Sequence, residues 1–243
     1  MTEFDIDGSN LLNALQKAGR RSLAPYLQEC EFADNHVLYE PGDDVRYCYF
    51  PRHQALASHV VLMTDGTAIE AALVGCEGAI GGIVSHGSLP AFARATVTHG
   101  GGFYRIAATV LEDIKQKSPH MGNLFARYAD CLVAQLFQSI ACNATHTVEQ
   151  RAAKWLAAAM DRTGTNEIAL TQDQLGTLLG VGRTYVSRVV ARLKQNGIIS
   201  TRRGGIKVLD RDRLEGTSCI CRQAVAAHFE EVLKGIYPDA ASE

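Results

Sequence analysis

Hydrophobic positions in the first part of the chain form one helical stretch followed by several strand-like runs. Apolar residues recur at helical spacing over 10–27, beginning with Leu11, Leu12 and Leu15. Short runs rich in β-branched and aromatic residues come next, between turns that contain Gly, Pro or Asp. They lie at 37–40, 47–50, 55–63, 67–74, 91–99 and 103–106. Runs of this length and spacing predict an antiparallel β-roll or jelly roll.

The hydrophobic period becomes helical after residue 108. The pattern predicts helices over 109–117 and 121–142, and then one over 148–161 that opens with the capping-box residues Thr147 and Gln150. The helix predicted over 121–142 carries an apolar stripe whose members are three or four residues apart over about five turns. Its members are Leu124, Phe125, Tyr128, Leu132, Leu136 and Ile140. One face is therefore expected to be buried, against its own domain or against a second copy.

The strongest local pattern is a helix-turn-helix. A second capping box, Thr171 with Gln174, opens a short helix, and Gly180 occupies the turn position that requires positive φ. Gly176 supplies the small residue that is needed where the second helix crosses the first closely. The second helix is predicted over 183–195, and it carries a regular apolar side that can lock the pair together.

A short hairpin directly follows the second helix. Strand-like runs at 198–201 and 206–209 flank a turn rich in Arg and Gly, so the unit is predicted to be a winged helix. In a winged helix, the N-terminal outward residues of the second helix meet base edges in the major groove. Base reading is expected from Arg183, Thr184, Ser187 and Arg188. Phosphate contacts are expected from the wing and from the start of each helix, at Thr171, Gln172, Tyr185, Arg202, Arg203 and Lys207.

The distribution of charge supports this prediction. The 243-residue chain has a formal net charge of −2, which by itself argues against a nucleic-acid partner. Residues 1–120 carry nine basic and fourteen acidic side chains, whereas 171–215 carry nine basic and four acidic ones. Neither Asp nor Glu occurs between 174 and 209. A basic module on an acidic body is typical of nucleic-acid binding, and the acidic body would confine DNA contact to the basic face.

Composition and motifs argue against several other classes of protein. No run reaches the ~18 apolar residues of a membrane helix, so no membrane contact is expected. The acidic N-terminus is unlike a signal peptide and the seven cysteines are dispersed, which together favour the cytoplasm. Nucleophile-elbow and phosphate-loop motifs are absent, and an enzyme is not expected. The alternatives to a DNA-binding regulator are a cupin-like metal enzyme and a ligand-independent DNA-binding protein.

The order of roll, long helix and winged helix resembles the Crp/Fnr family of bacterial transcription regulators across nearly the whole chain. The most similar stretch runs from Leu170-Thr171-Gln172-Asp173-Gln174-Leu175-Gly176 through Val181-Gly182-Arg183-Thr184-Tyr185-Val186-Ser187-Arg188. The resemblance implies an α+β fold with a sensor roll at 1–118, a long dimerisation helix and hinge at 119–145, and a winged-helix domain with a C-terminal helix at 146–243. It also implies a homodimeric, sequence-specific regulator that binds a palindromic operator in double-stranded DNA. The family commonly has Glu where this chain has Thr184, so the family's usual half-site is not assumed.

The resemblance further implies which residues form the dimer interface and the effector pocket. The dimer helix would contribute Leu124, Tyr128, Leu132, Gln135 and Leu136. The effector pocket would contain Glu77, Gly78, Arg94, Ala95, Thr96, Gln135 and Leu136. Relatives that bind cyclic nucleotides have a Gly-Glu pair and an Arg-Ser/Thr-Ala sequence, which this chain interrupts and reorders. Cyclic AMP is therefore not expected, the cofactor is left unassigned, and an effector and RNA polymerase are left open as partners.

Cysteine and histidine patterns predict no metal site. Cys30, Cys48 and Cys76 are too dispersed for the tight N-terminal group that holds an iron–sulfur cluster in redox-sensing relatives. Cys219 and Cys221, with His228, are a candidate metal or redox group, but residues two apart on a helix point to different sides. Ordinary cysteines are thus expected there, and the role of the C-terminal segment 210–236 is left unassigned. A haem-binding histidine in the roll is left open among His36, His53, His59, His86 and His99.

Overall fold

The computed structural model describes residues 6–65, 67–84, 87 and 89–237. Two short helices come first, α1 (Asn10–Asn13) and α2 (Lys17–Leu23). The strands that we call the roll are β1 (Gln28–Phe32), β2 (Val37–Tyr39), β3 (Tyr47–Pro51), β4 (Leu56–Leu62), β5 (Ala68–Val74), β6 (Arg94–His99) and β7 (Gly101–Ala107). The helices α3 (Ala108–Lys117) and α4 (Pro119–Thr145) follow. The outermost residues of the predicted terminal domains, 1–5 and 238–243, lie outside the described part.

The C-terminal part contains the unit that we call the winged helix. Its elements are α5 (Val148–Thr163), β8 (Glu167–Ile168), α6 (Gln172–Leu179), α7 (Arg183–Gln195), β9 (Ile199–Arg202) and β10 (Gly205–Val208). Two more helices follow it, α8 (Arg211–Thr217) and α9 (Cys221–Val232). None of the helices within the described residues is long and apolar enough to span a membrane.

The roll consists of two antiparallel sheets, which confirms the predicted fold class. The strand orders are β1-β7-β3 and β2-β6-β4-β5. A third sheet, β8-β10-β9, belongs to the winged helix. Tyr39, Tyr49 and Phe103 contribute to the core between the two sheets of the roll. The roll therefore has its own core, as expected from alternating apolar positions on strands that cover one another.

Two N-terminal elements differ from the sequence prediction. The helix predicted over 10–27 is two short helices and a 3₁₀ turn, Ala24–Tyr26, that contains Pro25. Proline lacks the backbone N–H that would continue a helix. Strand β1 was not predicted, because its sequence, Gln28–Phe32, is mostly polar. Backbone hydrogen bonds to the neighbouring strand β7 hold this segment in the extended conformation. It is an edge strand, where polar residues are tolerated.

The long helix α4 buries the face that is turned toward its own chain. Met121, Phe125, Tyr128, Cys131 and Cys142 are buried on this face. Gln135 Nε2 donates to the Leu73 carbonyl of β5 at 3.0 Å. Tyr128 is thus buried within its own chain, and Gln135 is half-buried with its amide bonded to β5. The assignment of these two residues to a dimer interface stays a prediction.

The opposite face of α4 leaves large apolar side chains in solvent. Val133 is 44% exposed, Phe137 68% and Ile140 69%. Three residues of the predicted stripe are half-buried between the two faces, namely Leu124, Leu132 and Leu136. Helical spacing identified an apolar helix correctly but merged two faces that the tertiary structure separates.

The C-terminal helix α9 folds back onto α4. Phe229 packs edge-to-face on Tyr128 with ring centroids 6.4 Å apart. Arg127 of α4 donates from Nε and Nη2 to the Val232 carbonyl at 3.1 and 2.7 Å. Together with α1 and α2, α9 closes a core that includes Met121. The segment whose role was open in the sequence is thus part of the support of the long helix.

Candidate nucleic-acid interface

The helix-turn-helix of α6 and α7 is held by short-range contacts. Thr171 Oγ1 accepts from the Gln174 N–H at 3.2 Å, and Gln174 Oε1 accepts from the Thr171 N–H at 2.7 Å, so the capping box is complete. Gly180 ends α6 at φ +63°, a conformation that favours glycine. A Cβ on Gly176 would lie 2.9 Å from the Val181 carbonyl oxygen. A larger residue there would push the turn away from α6.

The outward face of α7 carries three of the four residues expected to read bases. Arg183, Thr184 and Arg188 are exposed, and the neighbouring Tyr185 is 49% exposed. The inward face of the same helix is buried and fixes this orientation, through Val186, Val189, Val190 and Leu193. The helix is therefore held on one side by a packed core and presents basic and hydroxyl groups on the other.

Two predicted DNA contacts have partners within the protein. Ser187 is half-buried, and its Oγ donates to Gln172 Oε1 at 2.9 Å, which joins α7 to α6. Arg183 Nη1 lies 3.2 Å from Asp173 Oδ2, and both side chains are exposed. An exposed pair contributes at most about 1 kcal/mol, so a phosphate or a base can displace the carboxylate. Within the described residues, Arg188 has no carboxylate partner.

The wing is an antiparallel hairpin of β9 and β10 that is extended by β8. Arg202 Nη1 and Lys207 Nζ both lie against the Glu167 carboxylate of β8, at 2.5 and 3.0 Å. The hydrogen bond from Lys207 and the charge of Arg202 lower the pKa of Glu167. Arg203, beside the turn residue Gly204 at φ +77°, is exposed. Two predicted phosphate ligands, Arg202 and Lys207, are thus held against β8, and Arg203 lies exposed at the tip of the wing.

The winged helix contacts the roll through an interface that the sequence did not predict. Arg162 Nε of α5 donates to Glu77 Oε1 at 2.8 Å, and each side chain is only 2% exposed. Burial is the largest single influence on Arg162 and lowers the pKa of its guanidinium. The charges of Glu77, Tyr237 and Asp161 and the hydrogen bond to Glu77 together outweigh burial, so the pKa is raised overall. Trp155 Nε1 of α5 donates to Glu70 Oε1 of β5 at 2.8 Å. Both contacts join residues that are 85 positions apart in sequence.

The helix-turn-helix itself also touches the roll. Gln174 Nε2 donates to Asn35 Oδ1 at 2.6 Å. Ile69 of β5 packs against the turn, so closely that its Cγ1 lies 3.0 Å from where a Cβ on Gly180 would be. These contacts set the position of α6 relative to β5, and they couple the helix pair mechanically to the roll.

The residues expected to form an effector pocket have separate partners. Glu77 faces the winged helix, whereas Arg94 Nε pairs with Glu40 Oε2 at 2.9 Å on the surface of the roll. Thr96 Oγ1 donates to the His36 carbonyl at 3.3 Å. The other expected pocket residues are Gly78 beside Tyr128, the buried Ala95, Gln135 bonded to Leu73, and the half-buried Leu136. Glu77 and Arg94 are thus paired with different residues and do not face one common ligand position, and the effector pocket stays a prediction.

The histidines considered for haem lie in different parts of the roll, and His86 lies outside the described residues. His53 Nε2 is 2.9 Å from Asp7 Oδ2. His36 stacks on Phe32 with ring centroids 4.5 Å apart. Burial lowers the pKa of His59 in β4, so this imidazole is neutral at physiological pH. Haem binding stays untested.

Comparisons with known proteins agree with this geometry. Residues 150–217 match the Crp-like helix-turn-helix domain, whereas no curated protein matches the chain in a sequence search. FixK2 from Bradyrhizobium japonicum is a similar solved structure, with 18% identity, 79% of this chain and 98% of that chain covered, and a TM-score of 0.65. The c-di-GMP-responsive regulator CLP of Xanthomonas campestris has 13% identity, coverage of 80% and 100%, and a TM-score of 0.66. A Crp/Fnr-family regulator from Eubacterium rectale has 17% identity, coverage of 88% and 97%, and a TM-score of 0.65.

These similarities show a common fold over most of the chain. The roll, the long helix and the winged helix occur in the order found in Crp/Fnr transcription regulators. The chain therefore has the fold of Crp/Fnr-type transcription regulators, and residues 150–217 form a Crp-like helix-turn-helix domain.

Proposed function

We propose that this chain acts as a homodimeric, sequence-specific regulator that reads a palindromic operator in double-stranded DNA with α7. The observation that carries the proposal is the exposed N-terminal half of α7, where Arg183, Thr184 and Arg188 face solvent while the other face is packed. In a winged helix this surface enters the major groove. The acid-free stretch 174–209 attracts the phosphate backbone to the same side.

The side chains on this surface have distinct proposed roles. Arg183 and Arg188 suit bidentate bonds to guanine O6 and N7, whereas Thr184 and Ser187 are less selective. Backbone phosphates would be bound by Arg203 at the wing tip and by the other phosphate ligands of the sequence prediction. These are Thr171, Gln172, Tyr185, Arg202 and Lys207. The N–H of Thr171 is bonded to Gln174 within the capping box, so Thr171 would offer its hydroxyl proton to phosphate. The side chain of Gln172 is bonded to Ser187, so Gln172 would offer its backbone N–H.

Dimerisation is proposed to use the exposed apolar face of α4, formed by Val133, Phe137 and Ile140. These residues recur at steps of four and three, so they lie on one side of the helix. Large apolar side chains exposed together mark an interaction surface. Pairing two copies of α4 would place two winged helices on half-sites about one DNA turn apart, roughly 34–36 Å.

Regulation is proposed to act on the contact between the roll and the winged helix. A state change in the roll that weakens or strengthens the contacts of Asn35, Ile69, Glu70 and Glu77 would shift the position of α6 and α7. Such docking between two rigid units is a known structural route for switching. The effector that would bias it is left unassigned, and so is contact with RNA polymerase.

The decisive experiment is selection of DNA sites from a random library by the purified full-length chain, with and without cyclic mono- and dinucleotides. The ligand panel is chosen because a structurally similar regulator responds to c-di-GMP. We expect enrichment of one palindromic motif. Recovery of sequences without a common motif would contradict sequence-specific reading.

The selected site then allows a matched comparison on α7. Arg188→Ala should cost about 1–3 kcal/mol at one base position and relax the preference there. Arg192→Ala is the control, because Arg192 lies on the same helix but pairs with Glu149 at 2.9 Å. An equal loss of affinity for all DNA sequences in the Arg188→Ala variant would reassign Arg188 to phosphate contact.

The alternative functions find less support. The structurally similar proteins reported above include transcription regulators, which are not enzymes, so we propose no catalytic activity. A ligand-independent DNA binder would not need a roll docked on its helix-turn-helix. Because an operator lies on the bacterial chromosome, we propose the cytoplasm as the site of action.

A further inference from the structure

Four metal-ligating side chains meet at the junction between α4 and the C-terminal segment. Cys142 lies in the last turn of α4 and His146 directly after that helix, whereas Cys221 is the first residue of α9 and Cys219 lies two residues before it. Their Sγ and imidazole N atoms all lie within 4.8 Å of one another. Among the described residues, no other group of three or more His, Cys, Asp or Glu side chains comes together in this way. The sequence prediction had paired the two C-terminal cysteines with His228, and the tertiary structure places other partners beside them.

The separations fit a single tetrahedral ion. With a Zn–S distance of about 2.3 Å and a Zn–N distance of about 2.0–2.1 Å, a tetrahedron has S–S edges of ~3.8 Å and S–N edges of ~3.5 Å. Cys142 Sγ lies 3.6 Å from Cys219 Sγ, and Cys221 Sγ lies 3.5 Å from His146 Nδ1. An iron–sulfur cluster would insert several iron and sulfide atoms between its ligands and spread them further apart.

The surroundings of the cluster suit thiolate ligands. The three cysteines form a buried cluster of their own, with exposures of 0%, 4% and 2%. Gln138 Nε2 donates to Cys221 Sγ at 3.1 Å, and Lys154 Nζ donates to Cys142 Sγ at 3.5 Å. Three thiolates and one divalent cation leave a net charge of −1, which the Lys154 ammonium offsets. Donors that orient and stabilise ligand sulfurs in this way are typical of the outer shell of a metal site.

We propose that Cys142, His146, Cys219 and Cys221 bind one thiophilic divalent metal ion, with Zn²⁺ as the best fit. Zinc takes Cys₃His ligand sets in closed tetrahedral sites. A disulfide between Cys142 and Cys219 explains neither the imidazole nor the donors aimed at the sulfurs, and a reducing compartment disfavours it.

The proposed ion would act on the hinge between the roll and the winged helix. Its ligands come from the end of α4 and from the segment that returns α9 to α4, and Lys154 of α5 touches the same cluster. Metal binding would therefore tie three helices together at the point where the winged helix leaves the long helix. This makes the site a structural clamp on the geometry of the DNA-binding domain.

The test is metal analysis of the full-length chain after expression with added Zn²⁺. We expect one equivalent of zinc per chain in the folded, monodisperse fraction. Cys142→Ser and Cys219→Ser should lose the metal, whereas Cys131→Ser should keep it because Cys131 is a buried cysteine on the same helix but outside the cluster. The measurement needs no DNA, so its outcome is independent of the proposed regulatory function.

Replacing zinc with Co²⁺ provides a second readout that does not depend on ligand variants folding. Tetrahedral Co²⁺ with thiolate ligands absorbs in the visible range with an added sulfur-to-metal charge-transfer band. Lys154→Met, which leaves all four ligands in place, should weaken Co²⁺ binding by about 10–100-fold. A metal-free wild-type chain, a Cys142–Cys219 disulfide, iron with acid-labile sulfide, or zinc retained in Cys219→Ser would each overturn the proposal.

Discussion

Replacing Glu77 by Leu should undock the winged helix from the roll. The Glu77 carboxylate and the Arg162 guanidinium are each 2% exposed and lie 2.8 Å apart, on opposite sides of the boundary between the two units. After Glu77→Leu, the guanidinium stays charged because an Arg side chain does not release its proton at physiological pH. It can then either remain buried without a bonded carboxylate, with the Ala158 carbonyl and the Tyr237 ring beside it, or return to water as the winged helix separates.

The magnitude follows from the burial of the pair. Removing one member of a buried ion pair costs roughly 3–5 kcal/mol, because an uncompensated charge is left behind. Each 1.4 kcal/mol is a factor of ten, so the equilibrium constant for docking should fall by a factor of about 10² to 4 × 10³. Replacing both partners by apolar residues of similar size is often neutral, since no charge remains to be solvated. The double variant Glu77→Leu with Arg162→Met should therefore recover most of the loss.

The single tryptophan of the chain offers a direct assay of docking. Trp155 lies on α5, and its indole Nε1 donates to Glu70 of the roll at 2.8 Å. The fluorescence emission of Trp155 and its exposure to quenchers should report separation of the roll from the winged helix. Denaturant titration should report the free energy of unfolding. The exposed Arg94–Glu40 pair is the matched control, because its side chains are 36% and 45% exposed. Glu40→Leu should change stability by no more than about 1 kcal/mol.

Two results would refute this reasoning. One is a double variant whose loss equals the sum of the two single losses, which would mean that the side chains do not interact. The other is a Glu77→Leu variant that is no less stable than Glu40→Leu and has unchanged Trp155 emission. Either result would remove the buried pair from the interface that we propose for regulation.

Three further predictions address the dimer, the pH response and the helix pair. Phe137→Glu on the exposed face of α4 should give monomers in sedimentation, and a dimeric variant would place the interface elsewhere. Burial raises the pKa of Glu70 above its ordinary 4.5, so the folded state binds this proton more tightly than the unfolded state does. The contribution of Glu70 to the free energy of unfolding is therefore complete below pH 4.5 and is lost as the pH rises through the folded-state pKa. Glu70→Gln should flatten this slope in a Trp155 fluorescence titration of unfolding, and an unchanged slope would exclude Glu70. Gly176→Val should lower the free energy of unfolding by about 1–3 kcal/mol, because the new side chain would collide with the turn. Gly216 has open space around it, so Gly216→Val should lower the free energy of unfolding less. Equal losses in the two variants would contradict close packing at the turn.

The winged helix could be predicted from the sequence because its determinants are local. The Thr171–Gln174 capping box acts over three residues, and Gly180 adopts its positive φ within a single turn. The apolar side of α7 is likewise set by a repeat of three to four residues. Such signals can be read without knowledge of the rest of the chain. The strands of the roll other than β1 were predicted for the same reason.

The faces of α4 show where local reasoning failed. Leu, Phe, Tyr and Ile are apolar on either side of that helix, so the pattern does not tell which side packs on the chain itself. The contact with α9 decides this, because Phe229 covers Tyr128 and leaves Phe137 exposed. Strand β1 shows the converse case, in which a polar segment is ordered by hydrogen bonds to its neighbour.

The sequence by itself therefore determined the class of each unit and the surface that we propose to face DNA. Only the tertiary structure decided which distant residues meet. Glu77 reaches Arg162 over 85 positions, and Cys142 reaches Cys219 over 77. Propensity and periodicity extend over a few residues, whereas these contacts depend on how whole helices and sheets pack. The buried ion pair and the Cys–His cluster are for that reason products of the fold.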